Sequence, residues 1–189
     1  MARPRSGDKR KAILDAALRI CAERGIGAAP TSAISRAAGI AEGSLFTYFK
    51  TKDDLLNALY TELRMELSKH LEDFPHGKDA KTRLRYIWDK FLDLGEQHPE
   101  QLKVLSQLRA TGRLAKGNEA PSFALTEVMK AVAEAAQEGA FAGVRADYLV
   151  LMGRAQMEIT VEFMHAHPES AADCREWGFA MLWQEIAGK

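Results

Sequence analysis

Apolar residues in this chain recur at intervals of three and four, and no stretch alternates apolar with polar residues over the length of a strand. Ile13, Ala17 and Ile20, with Leu14, Leu18 and Cys21 beside them, form one stripe on a helix expected from Asp8 to Arg24. This periodicity restricts the chain to packed helices. Composition agrees, with 30 Ala and 20 Leu against 22 Val, Ile and Thr combined. Ala and Leu lose little entropy in a helix, whereas β-branched residues lose rotamer freedom there. Asn-Gly and Asp-Gly hairpin turns are also absent. The expected fold class is all-α, with about nine helices.

Punctuation residues divide the pattern. Gly25 and Gly27 end the first helix. Thr31 is the expected N-cap of a short second helix carrying Ile34, Ala37 and Ala38. Gly39 follows, where a tight turn between helices needs tolerance of positive φ. A short third helix, Glu42 to Phe49, is expected to bury Leu45 and Phe49. Thr51-Lys52-Asp53-Asp54 reads as a capping box, with Thr51 as the cap and Asp54 at N3. The fourth helix is expected from Asp53 to Phe74, on Leu55, Leu56, Leu59, Leu63, Leu67 and Leu71, and Pro75-His76-Gly77 stops it. Further helices are expected over 80–97, 100–110, 122–138, 145–166 and 169–186. No internal repeat or low-complexity tract interrupts them.

Charge is unevenly placed. The 189 residues hold 26 Lys+Arg and 26 Asp+Glu, for zero formal net charge. Residues 1–52 carry ten basic and four acidic residues, a surplus of six positive charges, and the rest carries the matching deficit. A basic first quarter on an acidic body suggests a phosphate-binding module attached to a part that does not bind phosphate; a chance cluster on a tail is the plainer account. Two cysteines make no disulfide framework, so a reducing, cytoplasmic location is expected. The apolar run around Tyr148–Met152 falls far short of the ~20 residues that cross a bilayer. The N-terminus has charge but no apolar signal segment, and no membrane partner is expected.

Two short helices joined by a tight turn, between an amphipathic helix and a long one, describe a helix–turn–helix that reads DNA. The sequence resembles the TetR/AcrR-type bacterial transcriptional regulators over about residues 8–60. The resemblance rests on Thr31-Ser-Ala-Ile-Ser-Arg-Ala-Ala-Gly39-Ile40, on Gly43-Ser44-Leu45-Phe46-Thr47-Tyr48-Phe49 and on Lys52-Asp-Asp-Leu55-Leu56, whose spacing matches without gaps. Residues 1–52 are then the expected DNA-binding domain and 53–189 the ligand-binding and dimerisation domain. Thr31 is placed to hold a phosphate with its hydroxyl and nearby amides. Ser44 and Tyr48 would direct hydroxyls at the backbone, and Lys52 would add a charge-assisted contact. Gly43 would allow close approach to the groove. The plainer account makes Thr31 and Thr51 ordinary caps and Tyr48 part of the core.

The third helix lacks Arg, Lys, Asn and Gln, the usual bidentate base readers. Glu42 could accept from cytosine N4 and Thr47 could touch a thymine methyl, with Ser32 and Arg36 contributing from the second helix. Arg3 and Arg5 lie on an arm suited to a flanking minor groove, so dependence on that arm and on DNA shape is expected. Three positions depart from the family pattern: Pro30 replaces a common Thr, Ala41 replaces a capping Ser or Thr, and Phe46 replaces the usual Tyr.

By resemblance, the remaining helices supply a homodimer interface and an effector pocket. Interface candidates are Tyr148, Leu149, Met152, Ile159, Phe163, Phe179, Met181, Leu182 and Trp183. Pocket candidates are Trp88, Phe91, Leu105, Leu108, Phe123, Met129, Met152, Gln156 and Met157, aromatics and flexible Met suiting adaptable apolar binding. Core packing is the competing account for both groups. Arg154, Glu158 and Glu162 share a helix face, as ion pairs or as a ligand head-group site.

No nucleophile–base arrangement and no phosphate-cradling glycine loop is present, so no enzyme activity and no cofactor are expected. His165-Ala-His167 with Cys174 fits no standard metal spacing, and no metal is expected. The expected partners are double-stranded DNA, a second copy of the chain and a small-molecule effector. The expected function is a dimeric repressor on a pseudo-palindromic operator, released by a small, largely apolar effector. The alternative is a DNA-binding dimer regulated by a protein partner.

Overall fold

The structure is a computed structural model that describes residues 6–71, 73–112, 114, 123–137 and 141–187, with side chains omitted at 6 and 123–125. Among the described residues there are nine α-helices, one short 3-10 turn at Pro168–Ser170 and no strand. The helices are α1 (Ser6–Arg24), α2 (Thr31–Ala37), α3 (Glu42–Tyr48), α4 (Lys52–Lys69), α5 (Ala80–Gln97), α6 (Pro99–Ala110), α7 (Phe123–Ala135), α8 (Ala146–Ala166) and α9 (Ala171–Ala187). They fall into two compact units, one within 1–66 and 98–120 and the other within 67–97 and 121–189. The expected domains, 1–52 and 53–189, divide the chain by role; the units divide it by packing.

In the first unit α1 packs against α2 and α6, and α2 against α3. The stripe expected on α1 is the buried one, with Ile13, Leu14, Ala17, Ile20 and Cys21 all in the core. Ile34 of α2 and Leu45 of α3 are fully enclosed, as are Leu55 and Leu59 of α4. Between α2 and α3 the chain turns at Gly39, whose φ of 68° lies in the left-handed region. There Gly39 N–H donates to Arg36 O at 3.1 Å and Ile40 N–H to Ser35 O at 3.0 Å, the paired closure of a Schellman end.

Several helix ends differ from the sequence expectation, two of them for a reason visible in the backbone. The N-cap of α2 is Pro30, not Thr31, with extended φ −78° and ψ 146°. Pro30 O accepts from Ala33 N–H and Ile34 N–H, so proline's fixed φ supplies the cap backbone and Thr31 becomes the first helical residue. At its C-terminus α4 stops at Lys69, short of Phe74. His70 and Leu71 bond carbonyls three residues back, a tightened last turn, and Phe74 precedes Pro75, where helical backbone is disfavoured. The capping box forms as expected: Asp54 N–H donates to Thr51 Oγ1 and Thr51 N–H to Asp54 Oδ2, each at 3.0 Å.

The second unit is built around α5, which packs against α7, α8 and α9, with α8 also against α9. Trp88 is fully buried and donates its indole N–H to Arg175 O at 3.0 Å. Its ring lies so close to Gly178 that a Cβ there would stand 2.5 Å from Trp88 Cζ2. Polar clasps join the same helices at the surface. Arg175 donates to Asp93 at 2.7 Å and Glu96 at 2.9 Å, and Arg85 bridges Asp89 and Glu176.

Candidate nucleic-acid interface

α3 is short because Ala41 and Phe49 are extended on either side of it, and Leu45 anchors it to the core. One residue in the middle turned fully inward leaves Glu42, Gly43, Ser44, Phe46 and Thr47 exposed, with Tyr48 half-buried. Phe49 is pulled inward and lies under the Arg10 guanidinium, 5.3 Å from its ring centroid. From α2, Ser32 and Arg36 are also exposed. These residues share the first unit with the exposed Lys50 and half-buried Lys52.

Three polar side chains have partners that the sequence did not suggest. Thr31 Oγ1 donates to Glu42 Oε1 at 2.9 Å, joining the start of α2 to the start of α3. Lys52 Nζ donates to Ile26 O at 2.9 Å, so one of its three protons is spent on the turn after α1. Thr47 Oγ1 donates to Ser44 O at 2.7 Å within α3. The buried Ser35 hydroxyl likewise donates to Thr31 O at 2.8 Å. The pairings of Thr47 and Ser35 close within their own helices, whereas those of Thr31 and Lys52 depend on where a second segment lies. Lys103 Nζ on α6 adds a further one, donating to Ala22 O at 2.9 Å near the end of α1.

Arg3 and Arg5 lie outside the described residues. The remaining DNA-contact candidates, Thr31, Ser32, Arg36, Glu42, Gly43, Ser44, Thr47, Tyr48 and Lys52, all lie on or beside α2, α3 and the start of α4. Phe46, noted from sequence only as a departure, is 43% exposed on the same helix. Its signal was the i, i+4 spacing from Glu42, which puts both on one face.

Residues 13–59 match the family described as bacterial regulatory proteins, tetR family. Over those residues the chain is similar to the tetR family. A curated relative, the fatty acid metabolism regulator protein of Bacillus subtilis, is 34% identical over 83 residues, 43% of each chain. The match thus spans less than half of that relative's length. Two solved structures share the fold across nearly the whole chain. A TetR family transcription regulator from Marinobacter aquaeolei VT8 aligns with a TM-score of 0.79 at 24% identity, covering 94% of this chain and 95% of the other. The transcriptional regulator FadR from Bacillus subtilis, in complex with stearoyl-CoA, aligns with a TM-score of 0.64 at 20% identity, covering 95% and 98%. These relatives are named as regulators.

The effector candidates fall in both units. Leu105 and Leu108 are buried in the first unit, on α6. Trp88 and Phe91 are buried in the second unit, where Met129, Gln156 and Met157 are half-buried. Met152 is exposed on α8, and the Phe123 side chain lies outside the described residues. Gln156 Nε2 donates to Gly178 O at 3.0 Å, while its buried Oε1 has no hydrogen-bond partner. Arg154 pairs with Glu158 at 3.9 Å.

The interface candidates divide in two. Tyr148, Ile159, Phe163 and Met181 are exposed on α8 and α9, Ile159 at 66%. Leu149, Phe179 and Leu182 lie instead in the core of the second unit, and Trp183 is half-buried under Lys81. The phase of each helix decides this, because Tyr148 and Leu149 are neighbours in sequence on different faces. Trp177, 58% exposed, and Leu151 join the exposed set. No helix among the described residues is long and apolar enough to cross a membrane, and none of their His, Cys, Asp and Glu form a metal-holding group.

Proposed function

We propose that this chain is a sequence-specific transcription regulator that binds a pseudo-palindromic operator as a homodimer and acts as a repressor. The observation that carries the reading is α3, a short helix anchored by Leu45 within the matched region and presenting five exposed residues to a major groove. Ser44, Tyr48 and Lys52 contact phosphates, and Lys52 does so with protons not used on Ile26 O. Glu42 and Thr47 face base edges, Ser32 and Arg36 add contacts from α2, and Arg3 and Arg5 reach a flanking minor groove. Residues 1–52 therefore carry DNA contact and 53–189 the regulation.

Dimerisation uses the exposed apolar side chains of α8 and α9. Tyr148, Ile159, Phe163, Trp177 and Met181 are all at least half exposed, more apolar surface than two terminal helices of a monomer commonly leave in water. A two-fold dimer sets two readers about one helical turn of DNA apart.

Release follows from a largely apolar effector held by the helical body. Two features support it: the unpartnered Gln156 Oε1, which a ligand donor would satisfy, and the likeness in fold to FadR with stearoyl-CoA. Such an effector must prefer the conformation that does not bind DNA, and that preference bounds its effect.

The deciding experiment is selection from a randomised double-stranded DNA pool at two salt concentrations, with sequencing of the bound fraction. A palindromic motif enriched at both is the expected result. Sequence-blind binding that disappears at the higher salt would overturn the reading.

A further inference from the structure

α3 carries no cation, so discrimination between base pairs has to draw on acceptors, shape and apolar contact. Its exposed face holds one large apolar group, the ring of Phe46, 43% accessible. The neighbouring aromatic Phe49 is drawn into the core instead, at 4%. Phe46 therefore keeps an apolar ring in water on the surface where every other exposed α3 side chain is polar or absent.

One turn before the ring, on the same face, the surface is open. Gly43, three residues earlier and so on the same face, would place a Cβ with nothing within 4 Å of it. Its φ is not positive, so neither backbone conformation nor internal packing requires glycine there. The Thr47 hydroxyl proton is engaged with Ser44 O, and the Glu42 carboxylate is held by Thr31. Neither group competes to fill the gap.

We propose that Phe46, with the gap at Gly43, is a specificity determinant that recognises thymine by its C5-methyl group in the major groove. The methyl is apolar, and it is the only group in that groove that distinguishes thymine from uracil. Contact removes both the methyl and the exposed ring from water. The inference rests on the proposed placement of α3 in a major groove.

The test uses the full chain and duplexes recovered from the randomised pool, remade with each thymine replaced in turn by deoxyuridine. One replacement per half-site is expected to weaken binding about fourfold, the effect of one buried methyl. Phe46→Ala should bind the thymine duplex as weakly as the parent binds the uracil one, with no further loss on the uracil duplex. Gly43→Ala, which fills the gap, should reduce the thymine preference while leaving Phe46 in place. Circular dichroism and dimer mass identify any variant that fails to fold, and Phe46→Leu then replaces Phe46→Ala. If Phe46→Ala keeps the parent's thymine-to-uracil ratio at every position, or the parent shows no such ratio, the inference is wrong while sequence-selective binding stands. If the parent recovers no motif from the pool, the proposed function itself is wrong.

Discussion

The hydroxyl of Thr31 donates to the carboxylate of Glu42 at 2.9 Å, across eleven residues and a helix–turn–helix junction. A residue expected to cap α2 thus fixes the first side chain of α3 through Glu42 Oε1. Thr31→Val is expected to lower affinity for the selected duplex about fivefold and to weaken discrimination at the base pair facing Glu42. The salt dependence should stay unchanged. Titrations at several salt concentrations check this: a shallower salt slope with intact discrimination would make Thr31 a phosphate contact instead.

The reciprocal bonds of Thr51 and Asp54 start α4. Thr51→Ala is expected to destabilise the protein by about 1 kcal/mol, read from the urea midpoint, while Thr51→Ser should be near neutral.

Gly178 meets the Trp88 ring more closely than any side chain allows. Gly178→Ala is expected to cost about 2 kcal/mol through overpacking, with altered tryptophan emission. An unchanged urea midpoint would show that α9 can shift to make room.

Glu176 is held below the ordinary carboxylate range by its hydrogen bond from Arg85. A depressed carboxylate contributes stability above its unfolded-state pKa and loses it as pH falls through the folded value. The melting temperature of Glu176→Gln should therefore differ most from the parent near neutral pH. The difference should close as pH falls below the ordinary carboxylate range, with its size kept small by solvent exposure.

Ile159 is the most exposed large apolar residue on α8. Ile159→Glu is expected to give monomers in sedimentation and to abolish operator binding at concentrations where the parent binds, without lowering helix content. A dimeric variant with parental affinity would place the interface elsewhere.

Helix periods and stop signals were legible in the sequence because they are local: the α1 stripe, the Gly39 turn and the Thr51–Asp54 box each depend on residues within a few positions. The candidate site was legible as a region for the same reason. What escaped was pairing over distance. Nothing near Lys52 announces Ile26 O, and Pro30 took the cap from Thr31 because backbone geometry, not side-chain chemistry, set the first turn of α2. The surface of α8 and α9 was legible in kind but not in phase, since Leu149 and Tyr148 are adjacent residues that both bury readily and only packing tells which is inward.

Lys103 reaches back to Ala22, and α6 packs on α1, so the unit that holds α3 is closed by residues far downstream of it. During synthesis α1 to α3 leave the ribosome well before α6 exists to cover α1, and the long loop between them must close before that packing is gained. A nascent chain halted within α5 would carry α1 to α4 without α6 to cover α1. An N-terminal fragment cut at the end of α4 would likewise lack the packing of α6 on α1.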